Sequence, residues 1–133
     1  MKKILLILIF LPFLSFAFQD IPRGFITRGD WKSSEKNILM TATRCSGLML
    51  DIAITFSKEP NKQDDLAKDY KSLYELFFTL ATRYEVKYGQ AEKYIREWVD
   101  DYQKVRLEKG LEGIKRDISS CMLILEDAKK LSN

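Results

Sequence analysis

Residues 38–56 read ILMTATRCSGLMLDIAITF, and apolar side chains recur in them at alternating steps of four and three. The recurring positions are Ile38, Ala42, Cys45, Met49, Ile52 and Phe56. This spacing is typical of one face of an α-helix, and Ser33 or Ser34 supplies an N-cap just before it. Because Leu48 to Phe56 also contains β-branched residues, a buried strand is the alternative for that part.

Three more segments with helical spacing follow, separated by residues that interrupt helices. Pro60 ends the first helix, Gly89 caps the second, and Gly110 with Gly113 separates the third from the fourth. The three apolar faces are Leu66, Tyr70, Leu73, Phe77, Leu80 and Tyr84; Ala91, Ile95, Trp98, Tyr102 and Val105; and Leu111, Ile114, Ile118, Cys121, Leu125 and Ala128. Four such helices with short connections favour an all-α, up-down-up-down four-helix bundle over residues 33–133. The alternative joins the third and fourth helices into one kinked element.

The chain has two cysteines, Cys45 and Cys121, and each lies in an apolar face near the middle of its helix. The first and last helices of an up-down bundle are antiparallel neighbours, so two mid-helix positions meet at the same depth. We therefore predict a disulfide between them, and disulfides persist in oxidising compartments. Two separate buried thiols are the alternative.

The N-terminus has the three parts of a secretory signal peptide. Lys2 and Lys3 precede an apolar run over residues 4–14, and small residues at Ser15 and Ala17 fit a cleavage site. A retained membrane anchor is not expected, because it would need about 20 apolar residues, more than this run contains. We expect a signal peptide over residues 1–17, an irregular arm over 18–32 and a helical domain over 33–133, with the mature protein periplasmic or secreted and not inserted in the membrane.

Composition excludes several classes of function. Lys and Arg number 22 and Asp and Glu 19, but two of the lysines precede the predicted cleavage site, which leaves the mature chain nearly neutral. A nucleic-acid partner, which needs a concentrated positive field, is therefore not expected. The absence of histidine excludes Ser-His-Asp triads and His-based zinc sites, and two distant cysteines exclude a Cys-x-x-Cys motif. No catalytic residue, metal or cofactor is predicted.

Carboxylates are the remaining candidates for chemistry. Asp51 is the only charged residue between Arg44 and Lys58; its spacing with Arg44 and Thr55 favours an exposed position, whereas a buried Asp51 would require a cationic partner. The acidic clusters are Glu97, Asp100 and Asp101, and Asp64, Asp65 and Asp69. We interpret them as solvated surface. The alternatives are a site for a hard cation such as calcium and a hydrolytic pair of carboxylates.

Aromatic residues outside the apolar faces form a candidate interaction surface. Tyr74, Phe78 and Tyr88 lie off the face of the second helix, and tyrosine is enriched at protein interfaces. Packing in the core is the alternative for all three.

In general build the chain resembles the small exported two-cysteine helical proteins of bacteria and, more distantly, periplasmic acid-stress chaperones, which also combine a helical fold with one disulfide. The likeness is architectural and implies no functional residue. We expect a non-enzymatic, exported protein that interacts with another exported or envelope protein, or a stress-related protein of the periplasm. The alternative is a small-molecule-binding protein or a minimal carboxylate-based hydrolase.

Overall fold

The computed structural model describes residues 30–58 and 64–133. Within them the chain is helical, without strands, so the all-α prediction is confirmed and the strand alternative is wrong. The helices are α1 (Glu35–Ser57), α2 (Asp64–Tyr84), α3 (Gln90–Lys109), α4 (Lys115–Leu123) and α5 (Leu125–Ser132), with a 3-10 turn at Leu111–Gly113. The predicted signal peptide, and the arm up to residue 29, lie outside the described residues.

Helix α1 begins directly after Ser34, one of the two predicted N-cap residues. The Oγ atom of Ser34 accepts a hydrogen bond from the backbone N–H of Asn37 at 3.1 Å, which satisfies one of the free N–H groups of the first turn. The Asn37 side chain donates to Ser33 Oγ at 2.7 Å and to the Asp30 carbonyl at 3.1 Å. These bonds fix the turn that carries Trp31, whose side chain is fully buried in the core.

Helix α1 is the central element of the domain. Almost every residue from Ile38 to Ala53 is buried, and the helix packs against α2, α3 and α4. Its length and hydropathy would also allow it to cross a membrane, but 78% of its apolar window is buried inside the protein. A helix that is apolar on all sides is typical of a buried core helix. By contrast, α2 buries fully only Phe77, Leu80 and Ala81.

Helices α1 and α2 run antiparallel. Ser46 Oγ donates to the backbone carbonyl of Tyr74 at 3.2 Å. Phe56, further along α1, packs against Tyr70, which comes earlier in α2, with 5.8 Å between the centres of the two tilted rings. This arrangement is compatible with the up-down bundle.

The last predicted helix is divided into two. Gly110 leaves the α3 helix with a φ of 69°, so α3 and α4 are separate and the kinked alternative is wrong. A second interruption falls at Ile124, between α4 and α5. Neither glycine nor proline lies near Ile124, so no helix-breaking residue predicted this interruption.

Gly47 lies where α1 and α3 approach each other closely. A Cβ atom built there would lie 2.5 Å from Trp98 Cβ and 3.0 Å from the Ile95 carbonyl oxygen of α3. Neither atom is the flexible end of a side chain, so a substitution must move a helix backbone.

We therefore expect Gly47→Ala to lower the free energy of unfolding by about 1–3 kcal/mol, the usual range for overpacking. This loss should exceed the gain in helix propensity of about 1 kcal/mol. Urea denaturation followed by circular dichroism measures it, with Thr82→Ala on the exposed side of α2 as the control. A Gly47→Ala protein more stable than the wild type would contradict the close contact.

Candidate functional site

The predicted disulfide between Cys45 and Cys121 is confirmed. The bond joins α1 to α4 with 5.7 Å between the two Cα atoms, and both residues are fully buried. The bond therefore holds the central helix and a late helix of the chain together inside the core.

A buried polar network lies one residue from this bond along α1. Arg44, Tyr102 and Asp117 come from α1, α3 and α4. Arg44 Nε donates to the Tyr102 hydroxyl at 2.7 Å, and Arg44 Nη2 donates to Asp117 Oδ2 at 3.0 Å. The hydroxyl in turn donates to the same Oδ2 atom at 2.6 Å. Arg44 and Tyr102 are fully buried, and Asp117 is 6% exposed.

Aromatic rings complete the surroundings of the buried cation. The Arg44 guanidinium carbon lies 4.7 Å from the centre of the Trp98 ring, a distance at which the ring face attracts a cation. Trp98 stacks on Tyr102 with 5.5 Å between ring centres. Burial raises the pKa of the Tyr102 hydroxyl well above its ordinary value, the Arg44 charge opposes that rise, and the Asp117 carboxylate adds to it. The phenol consequently stays protonated and serves as a hydrogen-bond donor to Asp117.

Asp51 is buried, so the expected exposed position is wrong. Asp51 is 3% exposed. Arg106 of α3 donates to both carboxylate oxygens, from Nε to Oδ2 at 3.0 Å and from Nη2 to Oδ1 at 3.1 Å. This bidentate geometry is the one that the planar guanidinium group favours with a carboxylate. The cation that a buried Asp51 would require is present, and the carboxylate is committed to an ion pair between α1 and α3.

The acidic clusters do not come together as a site. Glu97, Asp100 and Asp101 on α3 are all exposed, as are the three aspartates at the start of α2. Within residues 30–58 and 64–133, no group of three or more acidic or cysteine side chains has the arrangement of a metal site.

The structure separates the three aromatic residues of the predicted interaction surface. Tyr74 and Phe78 are half-buried neighbours on α2, with 5.8 Å between ring centres. Burial raises the pKa of the Tyr74 hydroxyl, and the charges of Glu92 and Glu75 raise it further. Tyr88 is fully exposed and lies beyond the end of α2, in the turn before α3. Tyr88 was expected on the same helix, and that expectation is wrong because α2 ends at Tyr84.

A groove opens on the surface between the C-terminal half of α1 and the N-terminal half of α2. Its volume is about 410 Å³, and we call it the α1–α2 groove. The residues that line it are Leu50, Ala53, Ile54 and Ser57 from α1, and Asp64, Ala67, Lys68, Lys71 and Tyr74 from α2. Both sets have helical spacing, so each wall is one helix face.

Neither a protein-family model nor a curated protein nor a solved structure matches the chain. The geometry of the described side chains is therefore the guide to its function.

The candidate groups are of two kinds, charges that pair with one another between helices and groups that line an open groove on the surface. Three buried charges and one partly exposed arginine form two ion pairs, Arg44 with Asp117 and Asp51 with Arg106, and these pairs hold helices together. The α1–α2 groove instead offers apolar surface and lysines on the outside of the molecule. Sequence reasoning did not find the groove, because it is formed by two helix faces that meet only in the fold.

Proposed function

We propose that the chain is a non-enzymatic binding protein and that its ligand lies in the α1–α2 groove. The observation that carries this proposal is the groove itself, an open slot of about 410 Å³ between an apolar wall and a wall that bears lysines. Small-molecule sites usually measure about 300–1,000 Å³ and combine apolar lining with a few polar groups.

The rest of the domain supports a rigid binder better than a carboxylate hydrolase. Asp51 and Asp117, the buried carboxylates, are each bound to an arginine. A catalytic pair of carboxylates would have to face one another across a substrate, whereas these two engage different arginines within the helix packing. The disulfide and the two ion pairs hold α1, which forms one wall of the groove, against α3 and α4. A wall that is fixed before binding lowers the entropic cost of binding.

We propose an oxidising, extracytoplasmic compartment, periplasmic or external, for this activity. One supporting observation is the pattern of residues 1–17, which is typical of a signal peptide. The other is the disulfide between Cys45 and Cys121, because cytosolic reductants keep most cysteines reduced.

A protein partner is the second candidate, and the Tyr74–Phe78 pair favours it. Both rings are half-buried on α2, and Ile54 and Leu66 add exposed apolar surface on α1 and α2, at 39% and 42% exposure. Such a partner, exported or in the envelope, would contact the outer face of α2 through aromatic side chains, the residues most enriched at interfaces.

Filling the groove tests the proposal. We expect native mass spectrometry of the protein isolated from its own cells to reveal a small organic adduct. The Ala67→Trp variant should lose this adduct, because Ala67 lines the groove. The control is Thr79→Trp, an exposed position elsewhere on α2, which should keep the adduct. No adduct on the wild type, or an equal adduct on both variants, would contradict the proposal.

A cross-linking experiment tests the protein partner. A protein that is cross-linked from position 78 on α2, but not from the exposed position 79, would favour that second candidate.

A further inference from the structure

The two walls of the α1–α2 groove differ in chemistry. The α1 wall is formed by Leu50, Ala53 and Ile54, and ends at Ser57, whose hydroxyl is already used in a bond to the Ile54 carbonyl at 2.7 Å. This wall presents carbon surface to whatever enters the groove. Ile54 remains 39% exposed although it faces the groove, so apolar surface is available for burial.

The α2 wall supplies positive charge. Lys68 and Lys71 are three residues apart and are therefore neighbours on one face. Neither makes an ion pair with another residue in the described part of the chain. Lysine can lay its methylene stem along apolar surface and keep its ammonium group in water. One carboxylate, Asp64, also lines the groove and lies four residues before Lys68 on the same face of α2, so the groove carries two lysines against one acid.

The dimensions favour one acyl chain over a protein segment. The α1 wall runs from Leu50 to Ser57, which is two helical turns, or about 10 Å. Stable protein interfaces use about 20–30 residues on each side, many more than the groove offers. A volume of about 410 Å³ is near the lower end of the small-molecule range, so two acyl chains of a phospholipid fit less well than one.

We propose that the α1–α2 groove binds a free fatty acid, with the acyl chain along Leu50, Ala53 and Ile54 and the carboxylate between Lys68 and Lys71. This inference rests on the proposed function and names the class of its ligand. The apolar wall provides affinity that increases with chain length. The lysines provide selection for an anionic head group over a neutral or cationic one.

Isothermal titration of the disulfide-bonded protein, isolated from its own cells, with dodecanoate tests this assignment. We expect 1:1 binding, and we expect dodecanol and dodecyltrimethylammonium to bind at least about tenfold more weakly, since they lack the anionic contact. The Lys68→Gln/Lys71→Gln variant should bind dodecanoate at least about tenfold more weakly than the wild type. The control is Lys93→Gln/Lys104→Gln, which removes two exposed lysines of α3 and should change binding less than about twofold.

Three results would overturn the fatty-acid assignment. They are equal binding of dodecanoate and dodecanol, unchanged binding by the Lys68→Gln/Lys71→Gln variant, and attachment to anionic phospholipid vesicles that dodecanoate does not displace. If one of these occurs while Ala67→Trp still removes the native adduct, the groove is a binding site for another class of molecule. If Ala67→Trp leaves that adduct in place, the proposed function fails with it.

Discussion

Arg44→Met is expected to lower the free energy of unfolding by about 3–5 kcal/mol. The substitution removes the guanidinium that binds Asp117 Oδ2 at 3.0 Å and leaves the Asp117 carboxylate in the core with the Tyr102 hydroxyl as its remaining donor on α3. A loss of this size is a large part of the about 5–15 kcal/mol that stabilises a typical domain. Urea denaturation followed by circular dichroism gives the free energy from the transition midpoint and slope.

Two variants separate the charge effect from a loss of packing. Arg116→Met removes an exposed arginine of α4 and should change stability by less than about 0.5 kcal/mol. Arg44→Met combined with Asp117→Leu removes both charges, so no charge remains buried without a partner. The double variant should be more stable than Arg44→Met alone, as found when buried ion pairs are replaced by apolar residues. A double variant less stable than the single one would indicate that shape, and not charge, determines the loss.

The helices were predictable because their signals are local. Steps of three and four between apolar residues located α1, α2 and α3, and Ser34 marked the start of α1 through a bond that spans three residues. The disulfide was predictable for a different reason, since only one pairing of two cysteines exists. The break at Ile124 was not predictable, because no helix-breaking residue lies near it.

The charged interior was not predictable from periodicity. Arg44 meets Asp117 across 73 residues and Asp51 meets Arg106 across 55, and such pairings exist only once the helices pack. Arg44 and Asp51 were assigned to a polar, solvated side of α1 by their spacing. One signal pointed the other way: from Leu48 to Ile54 the helix is apolar on nearly every side. A helix of that kind is buried, so its charges must find partners inside.

Reduction of the Cys45–Cys121 bond is expected to lower the free energy of unfolding by at most about 4.5 kcal/mol, the chain-entropy value for a loop of this length. The two residues are 76 positions apart, so the bond excludes many extended conformations of the unfolded chain. Urea denaturation with and without reductant measures the difference. The slope of the transition should be smaller for the oxidised protein, because its cross-linked unfolded state exposes less surface.

The control for reduction is Cys45→Ala/Cys121→Ala, whose stability should not change when reductant is added. Coincident midpoints for the oxidised and reduced wild type would contradict a stabilising role for the bond. Since Cys45 follows Arg44 on α1 and Cys121 lies one turn after Asp117 on α4, the disulfide and the ion pair join the same two helices. Neighbouring interactions of this kind are usually coupled by about 0.5–3 kcal/mol. Arg44→Met should therefore cost less stability in the reduced protein, where α4 is free to shift and let water reach the Asp117 carboxylate.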